Sequence, residues 1–268
     1  MSAGRAAVFR APSRPAPFRA APVRWPGFAK RHPVWFVALL ELVVIVVYGL
    51  TGTIAHFAEL PGEFVSIVAN VVLGGLAAGL LTRLGWWRTA GFRLPVRPRD
   101  LLWFVPLLLP VGFSLAAGTE FKGWVLTSQL LISALLIGFA EEAIFRGLML
   151  SALKARGFWT AAVVSSVLFG LSHTLNLLSG KSGVEILIQV SYALAIGFCF
   201  AATVLRTGLI WPLVLIHALI DFTSFLGKEG ASPAWNAAAG VGVTFAFMSY
   251  GLYLMLHRQS PGVKVAAA

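Results

Sequence analysis

The sequence predicts an all-α, polytopic transmembrane helical bundle of about eight helices with both termini cytoplasmic, and three observations predict it. The 268 residues are 58% apolar and only 12% charged, with a mean hydropathy of +0.84, whereas a soluble domain is about a quarter charged. Eight separable apolar stretches approach the ~20 residues that a span requires. The basic residues alternate between connections, seventeen on one set and three (Lys122, Lys181, Lys228) on the other. A water-soluble enzyme is excluded. So is a nucleic-acid reading of the +11 net charge, which would need the bases gathered on one folded surface.

Residues 1–33 form a basic, Pro/Ala-rich tail with Arg5, Arg10, Arg14, Arg19, Arg24, Lys30 and Arg31 and no acid. Such a tail suits the surface of an anionic inner leaflet, and it holds too little apolar side chain to offset the entropy of ordering, so disorder is expected. Val34 to Ile54 exceeds the length of a signal h-region and lacks a small-x-small cleavage site, which makes it a retained first span. Further spans are expected near 64–82, 101–118, 124–150, 158–178, 184–205, 209–226 and 236–256, so that 34–258 is one integral domain and 259–268 a short cytoplasmic tail. The third span carries Pro106 and Pro110 and reads as broken. With the N-terminus inside, the inner connections hold Arg83, Arg88, Arg93, Arg97, Arg99, Lys154, Arg156, Arg206, Arg258 and Lys264 besides the tail. That asymmetry places both termini in the cytoplasm. The loop-poor, Ala/Arg-rich chain favours a bacterial plasma membrane. Trp86, Trp87, Trp103, Trp124 and Trp211 read as interfacial anchors, His56 and His257 as residues near span ends, and Cys199, with no partner, as packing.

A charged side chain inside hydrocarbon costs roughly 2.5–3.5 kcal/mol on the insertion scale, so each retained one is a functional candidate. Glu141, Glu142 and Arg146 lie on the fourth span, His173 on the fifth, and His217 and Asp221 on the seventh; Glu41, on the first, is an outlier with a structural default. Glu142 and Arg146 stand four apart and can pair on one helix face. Glu141 is rotated about 100° away, free to face a cavity. At about 1.5 Å per residue, Glu141 lies ~20 Å from Lys154, His173 ~24 Å from Gly157, and His217 and Asp221 ~15 and ~21 Å from Thr207. All four fall in one slab of the membrane.

A carboxylate beside a neutral imidazole can take a proton from water. A second set of donors is then required where negative charge develops on a carbonyl oxygen, and His217 with a protonated or bridging Asp221 supplies one. The set suits amide hydrolysis. The alternative chemistry is a zinc-bound water, since two His and a carboxylate leave a catalytic Zn2+ an open position; spacing does not separate the two. Different functional classes also remain open on these residues, namely a small proton-coupled transporter and a non-catalytic immunity or scaffold membrane protein.

The order EExxxR, FxxxH, HxxxN/D resembles the CPBP family, the Abi or type II CAAX prenyl endopeptidases. Here the motifs stand as Glu141-Glu142-Ala-Ile-Phe-Arg146, Phe169-Gly-Leu-Ser-His173 and His217-Ala-Leu-Ile-Asp221, covering roughly 124–226, and a Gly91-Phe92 turn after Trp87 is similar to the family's short linker. The resemblance implies an eight-helix intramembrane protease whose cavity opens toward the cytoplasmic side and the lipid. It implies that Glu141 and His173 activate the water, that His217 and Asp221 stabilise the oxyanion, and that Glu142 and Arg146 support them. The family has been classed both as metal-dependent and as glutamate-type; a metal, if bound, would draw on His173, His217, Asp221 and Glu141. The chain carries Asp221 where Asn is frequent, and a carboxyl group donates a hydrogen bond only when protonated. The implied substrate is a membrane-associated protein or peptide, CAAX-like when prenylated.

Overall fold

The computed structural model describes residues 27–179, 182–228 and 232–257. Most of the basic tail, Lys181, Arg258, Lys264 and the C-terminal tail lie outside the described residues. At the described end of the tail, Gly27–Arg31 form a short helix. Ala29 is buried against the core and the rings of Phe28 and His32 stand 5.4 Å apart, contacts that offset the ordering entropy locally.

Eight longer helices follow: α1 Pro33–Phe57, α2 Gly62–Leu84, α3 Pro98–Ala117, α4 Trp124–Arg156, α5 Phe158–Leu177, α6 Gly183–Thr207, α7 Trp211–Phe225 and α8 Pro233–Leu256. Among the described residues, pairing of the β type is confined to one isolated bridge, Thr119–Gly227. Pro33 and Pro98 open α1 and α3, and Pro212 lies in the first turn of α7, where a missing N–H costs nothing. Ser182 and Glu185 close a reciprocal capping box at the start of α6. The prolines of α3 have the expected effect, since Pro98–Leu108 winds as 3-10 helix before α-helix resumes over Leu109–Ala117.

Seven of the helices are long and apolar enough to cross a membrane. The exception is α7, whose 15 residues reach only ~22 Å. Its start is recessed: Leu209 and Ile210 are buried, and the Ile210 N–H donates to the Gly91 carbonyl (2.9 Å). Gly208 ends α6 in the left-handed region, φ +67°, a conformation cheap only for glycine. Arg93 then clamps the turn, its Nε donating to the Gly208 carbonyl (3.1 Å) and its Nη2 to that of Thr207 (3.2 Å). The turn after Trp87 thus braces the entry of α7.

The core is built around α6, which has 61% of its apolar window buried against 22% for α1. Buried Ala193, Ala195, Ala201 and Ala202 let α5 and α8 approach α6 closely. α4 packs between α2 and α7. Leu39, Leu42, Val46 and Leu50 of α1 remain exposed, as a lipid-facing surface should. Trp124 is exposed in keeping with an interfacial role, but Trp86 is not: it is fully buried, with its ring 6.0 Å from that of Phe36. Bulky aromatic area finds more contact inside this bundle than at its rim. Cys199 is buried on α6, a packing residue.

Candidate active site

The EExxxR motif does not lie on regular α-helix. Trp124–Glu141 is α-helical, but Glu142–Met149 winds as π-helix and all eight of its residues are buried. A π segment, with i→i+5 bonding, is rare and frequents functional sites. It presents Glu142 and Arg146 inward together: Arg146 Nη1 donates to Glu142 Oε1 at 2.8 Å, with neither side chain exposed. The Arg146 guanidinium lies 4.2 Å from the Phe169 ring centre and 5.4 Å from that of Phe200, so cation–π attraction adds to the ion pair.

The same Glu142 oxygen accepts a second bond, from His217 Nδ1 at 2.8 Å. Sequence spacing gave no hint of this, because the partners are 75 residues apart. What permits it is Gly138 on α4, where a Cβ would stand 2.7 Å from the Val214 carbonyl oxygen and 3.0 Å from the Ala218 nitrogen. Only glycine lets α7 lie this close. With Nδ1–H held by a carboxylate, the tautomer and direction of the imidazole are set, and Nε2 is aimed away from Glu142. It stands 3.7 Å from both Glu141 Oε2 and Asp221 Oδ2, neither of which accepts a hydrogen bond from the protein.

The structure therefore brings together five of the seven motif residues in one connected cluster, Glu141, Glu142, Arg146, His217 and Asp221. His173 reaches the same neighbourhood through the cavity it shares with His217 and Asp221 and through Phe169, whose ring centre is 4.9 Å from that of His173 and 6.1 Å from that of His217. His173 Nδ1 donates to the Phe169 carbonyl at 2.8 Å, so a neutral ring carries its lone pair on Nε2. The cavity, about 780 Å³, is walled by α3, α5, α6, α7 and α8. Glu41 lies on α1 with its Oε2 buried and without a hydrogen-bond partner.

One motif residue and one polar chain take parts that the motifs did not assign. Phe169 is the aromatic hub between Arg146 and both imidazoles. A polar chain crosses α1, α2 and α4: Tyr48 Oη donates to Asn70 Oδ1 (3.1 Å), Asn70 Nδ2 to the Ser66 carbonyl (2.8 Å), and the Ser66 and Ser133 hydroxyls bond at 2.9 Å. A buried Asn in the second span was the signal available for it. Among the described residues no three His, Cys, Asp or Glu side chains are arranged to hold a metal ion. As placed, His173, His217, Asp221 and Glu141 do not form such a group.

Fold and site define a multi-pass helical membrane protein with a buried carboxylate–imidazole cluster beside a cavity. Residues 123–223 match the family described as type II CAAX prenyl endopeptidase, Rce1-like. The matched segment contains the three motifs, and over that segment the chain is similar to the family that they resemble. No curated protein matches the chain.

Proposed function

We propose that this chain is an endopeptidase of the cell membrane, with both termini cytoplasmic, that hydrolyses a peptide bond of a membrane-associated substrate. Glu141 is the general base. It takes a proton from a water, the resulting hydroxide attacks the scissile carbonyl carbon, and the negative charge moves to the carbonyl oxygen. His173, held by the Phe169 carbonyl, offers Nε2 as the acceptor that orients that water from across the cavity. When His217 Nε2 carries a proton, the ring presents an N–H to the oxyanion while its other N–H stays on Glu142. Asp221, when protonated, is the second donor. Glu141 then passes its proton to the leaving amine as the C–N bond breaks. Glu142 and Arg146 touch no substrate; they position His217.

The observation that carries the reading is the approach of Glu141 Oε2 and Asp221 Oδ2 to His217 Nε2, each at 3.7 Å. The test is cleavage of a fluorogenic peptide panel, prenylated and unprenylated, by purified protein. Glu141→Gln should lower the rate by about 10²–10⁴-fold while the fold is retained. Unchanged cleavage removes Glu141 as the base.

A further inference from the structure

The residues that line the cavity gather at one end of the bundle. Each helix lining it contributes only the half nearest the connections 118–123 and 226–233: the last residues of α3 (Pro110 to Ala117), the first half of α6 (Glu185 to Ile196), the second half of α7 (from His217) and the first half of α8 (Trp235 to Val243). The rim is held by backbone pairing between those connections, with Glu120 N–H donating to the Leu226 carbonyl (2.7 Å) and Lys228 N–H to that of Gly118 (3.3 Å). Glu185, Lys228 and Asn236 are exposed there. The opposite half is closed, because Glu142, Arg146, Phe145 and Phe200 are fully buried beneath His217.

The charges are divided along the same axis. The closed end carries the five arginines from Arg83 to Arg99, Lys154, Arg156 and Arg206, whereas the described connections at the open end carry Lys122 and Lys228 beside Glu59 and Glu120. Basic connections stay in the cytoplasm. The mouth of the cavity is therefore at the end that faces away from it, the reverse of what the family resemblance implies.

We infer that the site is served from the non-cytoplasmic side, and that its substrate is a membrane-anchored polypeptide whose cleaved bond lies at the outer leaflet, not a C-terminal cysteine motif presented in the cytoplasm. The inference rests on the hydrolase reading for the word substrate and on geometry and charge for the side. The walls suit such a segment: Phe113, Ile188, Ile196 and Trp235 offer apolar contact, and Gln189 and Asn236 polar groups for a peptide backbone. The volume is that of an ordinary ligand pocket.

The test uses the full chain in intact bacterial cells. Cys199, the single cysteine, is replaced by Ala, and single cysteines are placed at the mouth (Lys228→Cys and, separately, Asn236→Cys) and at the closed end (Arg156→Cys). A membrane-impermeant maleimide should label both mouth positions in intact cells and Arg156→Cys only after the cells are opened. The reverse pattern overturns the inference. In a second arm, a bulky maleimide on Asn236→Cys should lower cleavage of the fluorogenic peptides by purified protein at least tenfold relative to the same variant unlabelled; undiminished cleavage overturns the mouth as the entry. Should the unlabelled protein cleave nothing, the hydrolase reading falls while the labelling still decides the side.

Discussion

Glu141 and Glu142 are consecutive in the chain, yet they belong to two regions that do different work. Glu142 sits at the sealed floor, without exposure, its Oε1 shared by Arg146 and His217 at 2.8 Å each. The Glu141 side chain is 16% exposed and that of Asp221, which lines the cavity, 24%, with no protein donor on the oxygen of either that lies nearest His217. Both regions hold buried atoms without a protein partner, Glu142 Oε2 at the floor and Glu141 Oε2 and Asp221 Oδ2 on the wall, but only Glu142 bonds His217 directly and so fixes its direction. A helix of 3.6 residues per turn already separates neighbours by about 100°, and the π segment beginning at Glu142 turns that separation into a difference of environment.

The largest effect should come from the floor. Glu142→Ala leaves Arg146 as an uncompensated buried charge and should cost about 3–5 kcal/mol of stability, read as a fall in the melting midpoint in detergent, with activity lost as His217 loses its anchor. A midpoint near wild type would show that the ion pair is dispensable. On the wall, Glu141→Gln should do the opposite: a melting midpoint close to wild type with the rate loss given above. If both variants lost stability alike, the distinction between floor and wall would fail.

Gly138→Ala sharpens the comparison from the packing side. The added Cβ meets the Val214 carbonyl at 2.7 Å, so α7 must move from α4 at an expected cost of about 1–3 kcal/mol. Because His217 and Asp221 travel with α7, the rate should fall more than the midpoint does. The smallest change in stability is expected for His173→Ala, which lies at the partly exposed end of α5. Its midpoint should stay within about 1 kcal/mol of wild type while cleavage drops at least tenfold, the signature of a residue that contacts the water and not the core.

The helices were legible because hydrocarbon leaves the backbone no alternative: apolar runs of sufficient length become helices, and the eight stretches appear within a few residues of expectation. Glu142 with Arg146 was legible too, since four-residue spacing is a local relation. The bond from His217 to Glu142 was not, because it joins positions 75 apart through a contact that a single glycine permits. Trp86 went the same way: nothing local distinguishes a buried tryptophan from an interfacial one.

By itself, the sequence determined that the chain crosses the membrane repeatedly, which end of the bundle is basic, and which few ionisable side chains are retained in apolar helices. These follow from transfer free energies and helical periodicity, properties of a segment considered alone. Only the tertiary structure decided that Glu142 serves as the anchor of His217, that Glu141 and Asp221 each stand 3.7 Å from its other nitrogen, and that the cavity is lined by residues of the base-poor end. Those depend on how closely helices far apart in the chain approach one another, and that distance is set by small residues and packing at the contact.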